Sequence, residues 1–100
     1  MLIIAGTIQI EADHRDTFFQ AVAPMVVASR AEAGCRAYVF SPDVDDAGVI
    51  HLYELWDDQE ALDIHFASAH MAEWKKDSAD LPVLGRDIAK YMISEVGELP

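Results

Sequence analysis

Cysteine occurs once in this chain, at Cys35, and basic residues are scarce: seven Lys and Arg stand against eighteen Asp and Glu. A single cysteine excludes an internal disulfide and any thiolate metal cluster within one chain. The net charge of −11 argues against nucleic acid, because gripping a phosphate backbone takes clustered Lys and Arg, and only Lys75 and Lys76 adjoin. The same imbalance argues against an anionic membrane surface. No hydrophobic run reaches the length of a membrane span. The opening MLIIAGTIQI has neither a basic stretch nor room for a signal core. A cytoplasmic protein with no nucleic-acid or membrane partner is expected. A Ser–His–Asp set, a Walker loop, a dinucleotide fingerprint and an HExxH pair are all missing as well.

Apolar residues, by contrast, are plentiful. They make up 52% of a chain of 100 residues, which is one domain's worth, here residues 1–100. A domain of this size buries only part of its unfolded surface. The excess therefore points to association as the means of covering it.

The pattern of apolar positions predicts strand, helix, strand, strand, helix, strand. Leu2 to Ile10 reads as a strand apolar on both faces. Asp13 is the expected N-cap of a helix from about His14 to Ala33, with Phe18, Val22, Met25 and Ser29 on one stripe. Pro24 removes a backbone donor within it, so a kink or break is expected there, and Gly34 is the expected left-handed C-cap. Cys35 to Phe40 and Val49 to Trp56 read as strands joined by the turn-rich SPDVDDAG. Asp57 or Asp58 should cap a second helix whose buried stripe is Ala61, Leu62, His65 and Phe66. Ser68 reads as a fresh cap for a further helical piece from Ala69 to about Asp77. A loop over Leu81 to Gly85 and a strand over Asp87 to Val96 complete the chain.

This order is that of an α+β, ferredoxin-like split βαβ fold, a four-stranded antiparallel sheet with its helices on one face. Two helices leave the other face bare, and strands one and three carry apolar residues on both sides. A homodimer through the open sheet face, a dimeric α/β barrel, is the expected solution.

Chemistry concentrates in the stretch from Tyr53 to Trp74, which holds both tryptophans and two of the four histidines. His65, on an apolar stripe, is either a hydrogen-bonded core residue or a general base at the edge of an apolar pocket. His70 follows five residues later; that spacing is not the i, i+4 of a helical metal pair, so no metal ligand is expected. Trp56 and Trp74 either pack the core or line a flat pocket with Tyr38, Tyr53 and Phe66. The loop from Asp43 imitates a calcium loop, but position five is Ala47 and its flanks are strands. Glu54 needs a partner among strand apolars, a backbone or basic group near the dimer contact. Cys35 is expected as a small buried filler.

Three short pieces carry a family resemblance: Glu32-x-Gly34-Cys35-x-x-Tyr38, Glu54-x-Trp56 with Glu60-Ala61-Leu62, and His65-x-x-Ser68-x-His70. Together, over nearly the whole chain, they resemble the antibiotic biosynthesis monooxygenase domain family, which includes small quinol monooxygenases. The resemblance implies oxygenation of quinols or polycyclic aromatics by O2 without a metal, flavin or other cofactor, the substrate supplying the electrons. It implies His65 as the catalytic base, with Trp56, Phe66, His70 and Trp74 around the substrate and Tyr38 touching one of its oxygens. A sister branch degrades haem with an Asn, Trp and His set. Here the first strand lacks Asn, His65 stands at the Trp position and Lys75 at the His position, so haem degradation is not implied. Two alternatives remain open: a non-catalytic dimeric module binding an apolar aromatic ligand, and a haem-handling protein.

Overall fold

The computed structural model describes all 100 residues. Strands β1 (Leu2–Ile10), β2 (Cys35–Pro42), β3 (Val49–Trp56) and β4 (Val83–Met92) form one sheet in the order β2-β3-β1-β4. Every neighbouring pair is antiparallel. Helices α1 (Arg15–Arg30), α2 (Gln59–Phe66) and α3 (Ala69–Asp77) complete the ferredoxin-like α+β fold. No helix is long and apolar enough to cross a membrane.

Side chains alternate across a pleated strand, so each strand has one face toward the helices. On β3 that face carries Ile50, Leu52, Glu54 and Trp56, all buried. On β1 it carries Leu2, Ile8 and Ile10, also buried. Phe18, Val22, Met25 and Ser29 of α1 meet them, the four positions expected of its stripe. Only 14 of the 100 residues are buried, a thin core that follows from covering the sheet on one side. The register places Ile3 between Leu55 and Tyr91, and Ala5 between Tyr53 and Ala89, on the uncovered side. There Tyr53 and Tyr91 are 40% and 56% exposed.

Several boundaries differ from the sequence expectation. Asp13 does not cap α1: it lies in a 3-10 turn, Ala12–His14, and α1 begins at Arg15 with no side-chain cap. The helix runs unbroken through Pro24, which sits on its exposed side, where a missing donor is tolerated. It stops at Arg30, three residues early, because Ala31 and Glu32 donate to the carbonyls of Ala28 and Ser29 and tighten the last turn. Gly34 is not left-handed. It is needed for close approach instead: a Cβ there would lie 2.3 Å from that of Ala61 on α2. Strand β4 lies four residues nearer the N-terminus than expected, because pairing along β1, from Leu2 with Met92 to Ile10 with Val83, sets its span.

Local capping matches the expectation more closely. Asp58 caps α2 by accepting from the Ala61 N–H at 2.8 Å, while Asp57 pairs with Arg36. Ser68 caps α3 by accepting from the Met71 N–H at 3.2 Å. Phe66, expected on the buried stripe of α2, is 51% exposed. Cys35 is only partly buried.

Gly6, at the centre of β1, has φ 155°, and a Cβ there would meet the Asp87 carbonyl oxygen at 1.9 Å. Backbone on a paired strand cannot step aside. Gly6→Ala should therefore destabilise the chain at or beyond the upper end of the roughly 1–3 kcal/mol typical of overpacking, read from urea unfolding. An unchanged midpoint would show that β1 and β4 can part at no cost.

Candidate active site

Between the covered face of the sheet and α3 lies a cavity of about 260 Å³. Thirteen of its sixteen lining residues are hydrophobic, among them Phe18, Tyr38, Phe66, Met71 and Trp74. The three polar ones are Glu54, Ser78 and Arg86, so Glu54 is the chamber's one acid. Aromatic edges frame it: the Phe18 ring meets that of Trp74 at 5.5 Å, and Tyr38 meets Phe40 at 5.7 Å. Such a chamber favours a flat apolar ring, with few polar groups to orient it.

Glu54 reaches this position through the two-residue period of β3, which also places Trp56 beside it. The Trp56 indole N–H donates to Glu54 Oε1 at 2.8 Å. This indole replaces the backbone or basic partner expected for Glu54. Burial pushes the Glu54 carboxyl up to about 7, against the pull of the indole bond and with a smaller upward push from Glu32. A neutral donor satisfies the carboxylate without cancelling its charge, which is why burial wins.

A second polar cluster lies behind the chamber wall. His65 is fully buried, its ring centroid 4.7 Å from that of Trp56 and 5.3 Å from that of Tyr38. Its Nδ1 stands 2.7 Å from Glu32 Oε2, and His70 Nε2 stands 2.9 Å from the same oxygen. An ionised carboxylate only accepts, so each of these ring nitrogens carries its hydrogen and donates. Burial lowers the His65 imidazole below its ordinary value, against the upward pull of Glu32. The five-residue separation of the histidines did not foretell this meeting. Helix α2 ends at its C-cap Ala67, Ser68 caps the start of α3, and across this break the His65 and His70 rings lie 5.7 Å apart.

Of the residues expected at a site, Tyr38, Phe66 and Trp74 line the chamber, whereas Trp56, His65 and His70 do not. The Tyr38 hydroxyl donates to Met25 Sδ at 3.2 Å, so its polar contact is already made within the protein. Burial, then Glu54, raises its phenol well above the usual value. Glu32 was not among the expected site residues, although it opens one of the three family-like pieces. The calcium-like loop is tied internally instead. Asp43 Oδ2 accepts the N–H groups of Asp45 and Asp46, each at 3.0 Å, and Oδ1 faces His51 Nε2 at 2.6 Å.

Fold and site thus define a class: a small ferredoxin-like domain enclosing an apolar chamber with one carboxyl inside. The antibiotic biosynthesis monooxygenase family matches residues 1–77, and the chain belongs to that family. The uncharacterized Synechocystis protein sll1783 is 30% identical over 98% of this chain and 67% of its own length. YcnE of Bacillus subtilis, which bears the name of a candidate monooxygenase, is 24% identical over 95% of this chain and its own full length. A solved candidate antibiotic biosynthesis monooxygenase from Deinococcus radiodurans superposes with a TM-score of 0.88 and 27% identity, covering 100% of this chain and 99% of that one.

The Glu54 carboxyl binds its proton more tightly in the folded chain, near 7, than in the unfolded one, near 4.5. Its stabilising contribution is therefore fully present below 4.5 and is lost as pH rises through 7. Trp56, Tyr38, Glu32 and Cys35 surround it, and Arg86 faces the same chamber. Between about pH 5 and 8.5, wild type should lose on the order of 3 kcal/mol relative to Glu54→Gln, which keeps an acceptor for the indole. Parallel stability curves for the two proteins, from denaturant titrations across that range, would contradict the assignment.

Proposed function

We propose that this chain is a monooxygenase of small quinol-type aromatics, using O2 and electrons from the substrate itself. The observation that carries the reading is the single carboxyl, Glu54, in an otherwise apolar chamber of aromatic-ring dimensions. Membership of a monooxygenase family supports it. At about 260 Å³ the chamber lies below the roughly 300–1,000 Å³ of pockets for drug-sized ligands, so one or two fused rings fit better than a larger polycycle.

The chemistry then asks little of the protein beyond proton removal and exclusion of water. A quinol that gives a proton to the Glu54 carboxylate becomes an anion rich enough in electrons to reduce O2 by one electron. The semiquinone and superoxide recombine at ring carbon, and loss of water leaves the hydroxyquinone. Quinol plus O2 becomes hydroxyquinone plus water, with no outside reductant.

This reading assigns the proton to Glu54 rather than to His65, because Glu54 lines the chamber and a base must come within hydrogen-bonding reach of its substrate. His65 backs the wall through Tyr38, its ring centroid 5.3 Å from that of the phenol. The same proposal takes the cytoplasm as the compartment, where a lone free cysteine is stable as a thiol. It also includes a twofold homodimer through the open sheet face, where the row Leu55, Ile3, Tyr91 lies beside Tyr53.

Oxygen-electrode assays with a panel of one- and two-ring quinols should show uptake by wild type. Glu54→Gln should lower kcat/KM by about 100-fold or more, the usual span for losing a general base. Uptake lost in His65→Ala but kept in Glu54→Gln would return the base to His65. Quenching of tryptophan fluorescence by quinols without any uptake would leave a binding module. For assembly, sedimentation should give twice the 11.1 kDa chain mass, and Tyr53→Glu should give the monomer. A monomeric wild type would remove the dimer from the proposal.

A further inference from the structure

Glu32, His65 and His70 come from three different segments: the turn after α1, the end of α2 and the start of α3. Their ligating atoms all lie within 4.8 Å of one another. We propose that they bind a divalent transition-metal ion of the zinc class, at a site separate from the chamber, where it pins these three segments together. No step of the quinol reaction is assigned to it.

Two features support the site beyond proximity. The first is the donor set. Two imidazoles and one carboxylate form a combination that holds zinc with a remaining position open to water. The second is an imbalance around Glu32. Both histidines donate to Oε2, while Oε1 is the chain's one buried side-chain polar atom without a partner. A cation held by both carboxylate oxygens satisfies Oε1 and replaces the two donors crowded on Oε2.

The two imidazoles already stand close to the carboxylate. Ligands about 2.05 Å from a tetrahedral zinc stand about 3.3 Å apart. The present separations from Glu32 Oε2, 2.7 and 2.9 Å, open by about half an ångström, while the two ring nitrogens, within 4.8 Å of one another, settle to that same spacing. Each imidazole moves its hydrogen to its other nitrogen, a change of tautomer that leaves its charge unaltered. The His65 side chain has 1% exposure and the His70 side chain 23%, so the cluster is anchored at one end and open to entering ions at the other.

The test uses the full chain, stripped with chelator and titrated with Zn2+ and, as a spectroscopic probe, Co2+. Wild type should take one ion per chain, show the visible bands of four- or five-coordinate cobalt, and gain about 10–20 °C in Tm at a hundredfold excess over Kd. His70→Ala should abolish both signals, and Glu32→Gln should weaken binding at least tenfold. These two are varied because removing the fully buried His65 opens the core. His51→Ala, at the Asp43 contact, should bind as wild type does. No cobalt spectrum and no Tm shift in wild type would overturn the proposal. So would equal binding by His70→Ala and Glu32→Gln, or loss of binding in His51→Ala.

Discussion

Helices on one side of a four-stranded sheet can bury one of its faces and no more. The rest of this structure depends on that constraint. On the covered face the strands present Ile8, Ile50, Leu52 and Trp56 to α1, and the short α3 roofs the space left over as a chamber. The bare face presents Ile3, Ala5, Tyr53 and Tyr91, a set that suits another surface better than water. One packing arrangement thus leaves both a chamber and an open apolar sheet.

Two glutamates, Glu54 buried and Glu32 partly so, show how neighbours decide what a carboxylate can do. Glu54 has one neutral donor, the Trp56 indole, and apolar side chains around it, so its proton affinity rises to the working pH range. Glu32 receives two imidazoles on a single oxygen. The first arrangement suits moving a proton and the second suits holding a charge. Trp56 joins them physically, since its indole binds Glu54 while its ring lies against His65.

How much could be read from the sequence follows from how local each feature is. The limits of β1 and β3, the buried stripe of α1 and the Ser68 cap are set by alternation, helical period and a neighbouring N–H, all legible within a few residues. The limits of β4 depend on how far β1 extends, a partner some eighty residues away in sequence. Gly34 reads as a helix cap until Ala61 is seen against it. Glu32 stands 33 and 38 residues from the histidines it joins, and no periodicity connects them. The chamber is legible only in part: aromatic richness suggests Tyr38, Phe66 and Trp74, but which histidine or glutamate faces it depends on how the helices pack on the sheet.

Helix α3 supplies Met71 and Trp74 to the roof of the chamber, yet none of its residues is fully buried. The strands that form the floor, by contrast, share their side chains with the core. Change along α3 can therefore reshape what the chamber admits without dismantling what holds the fold. Sequence change that retunes the chamber has its freest route through those nine residues, and it should be sought there before anywhere on the sheet.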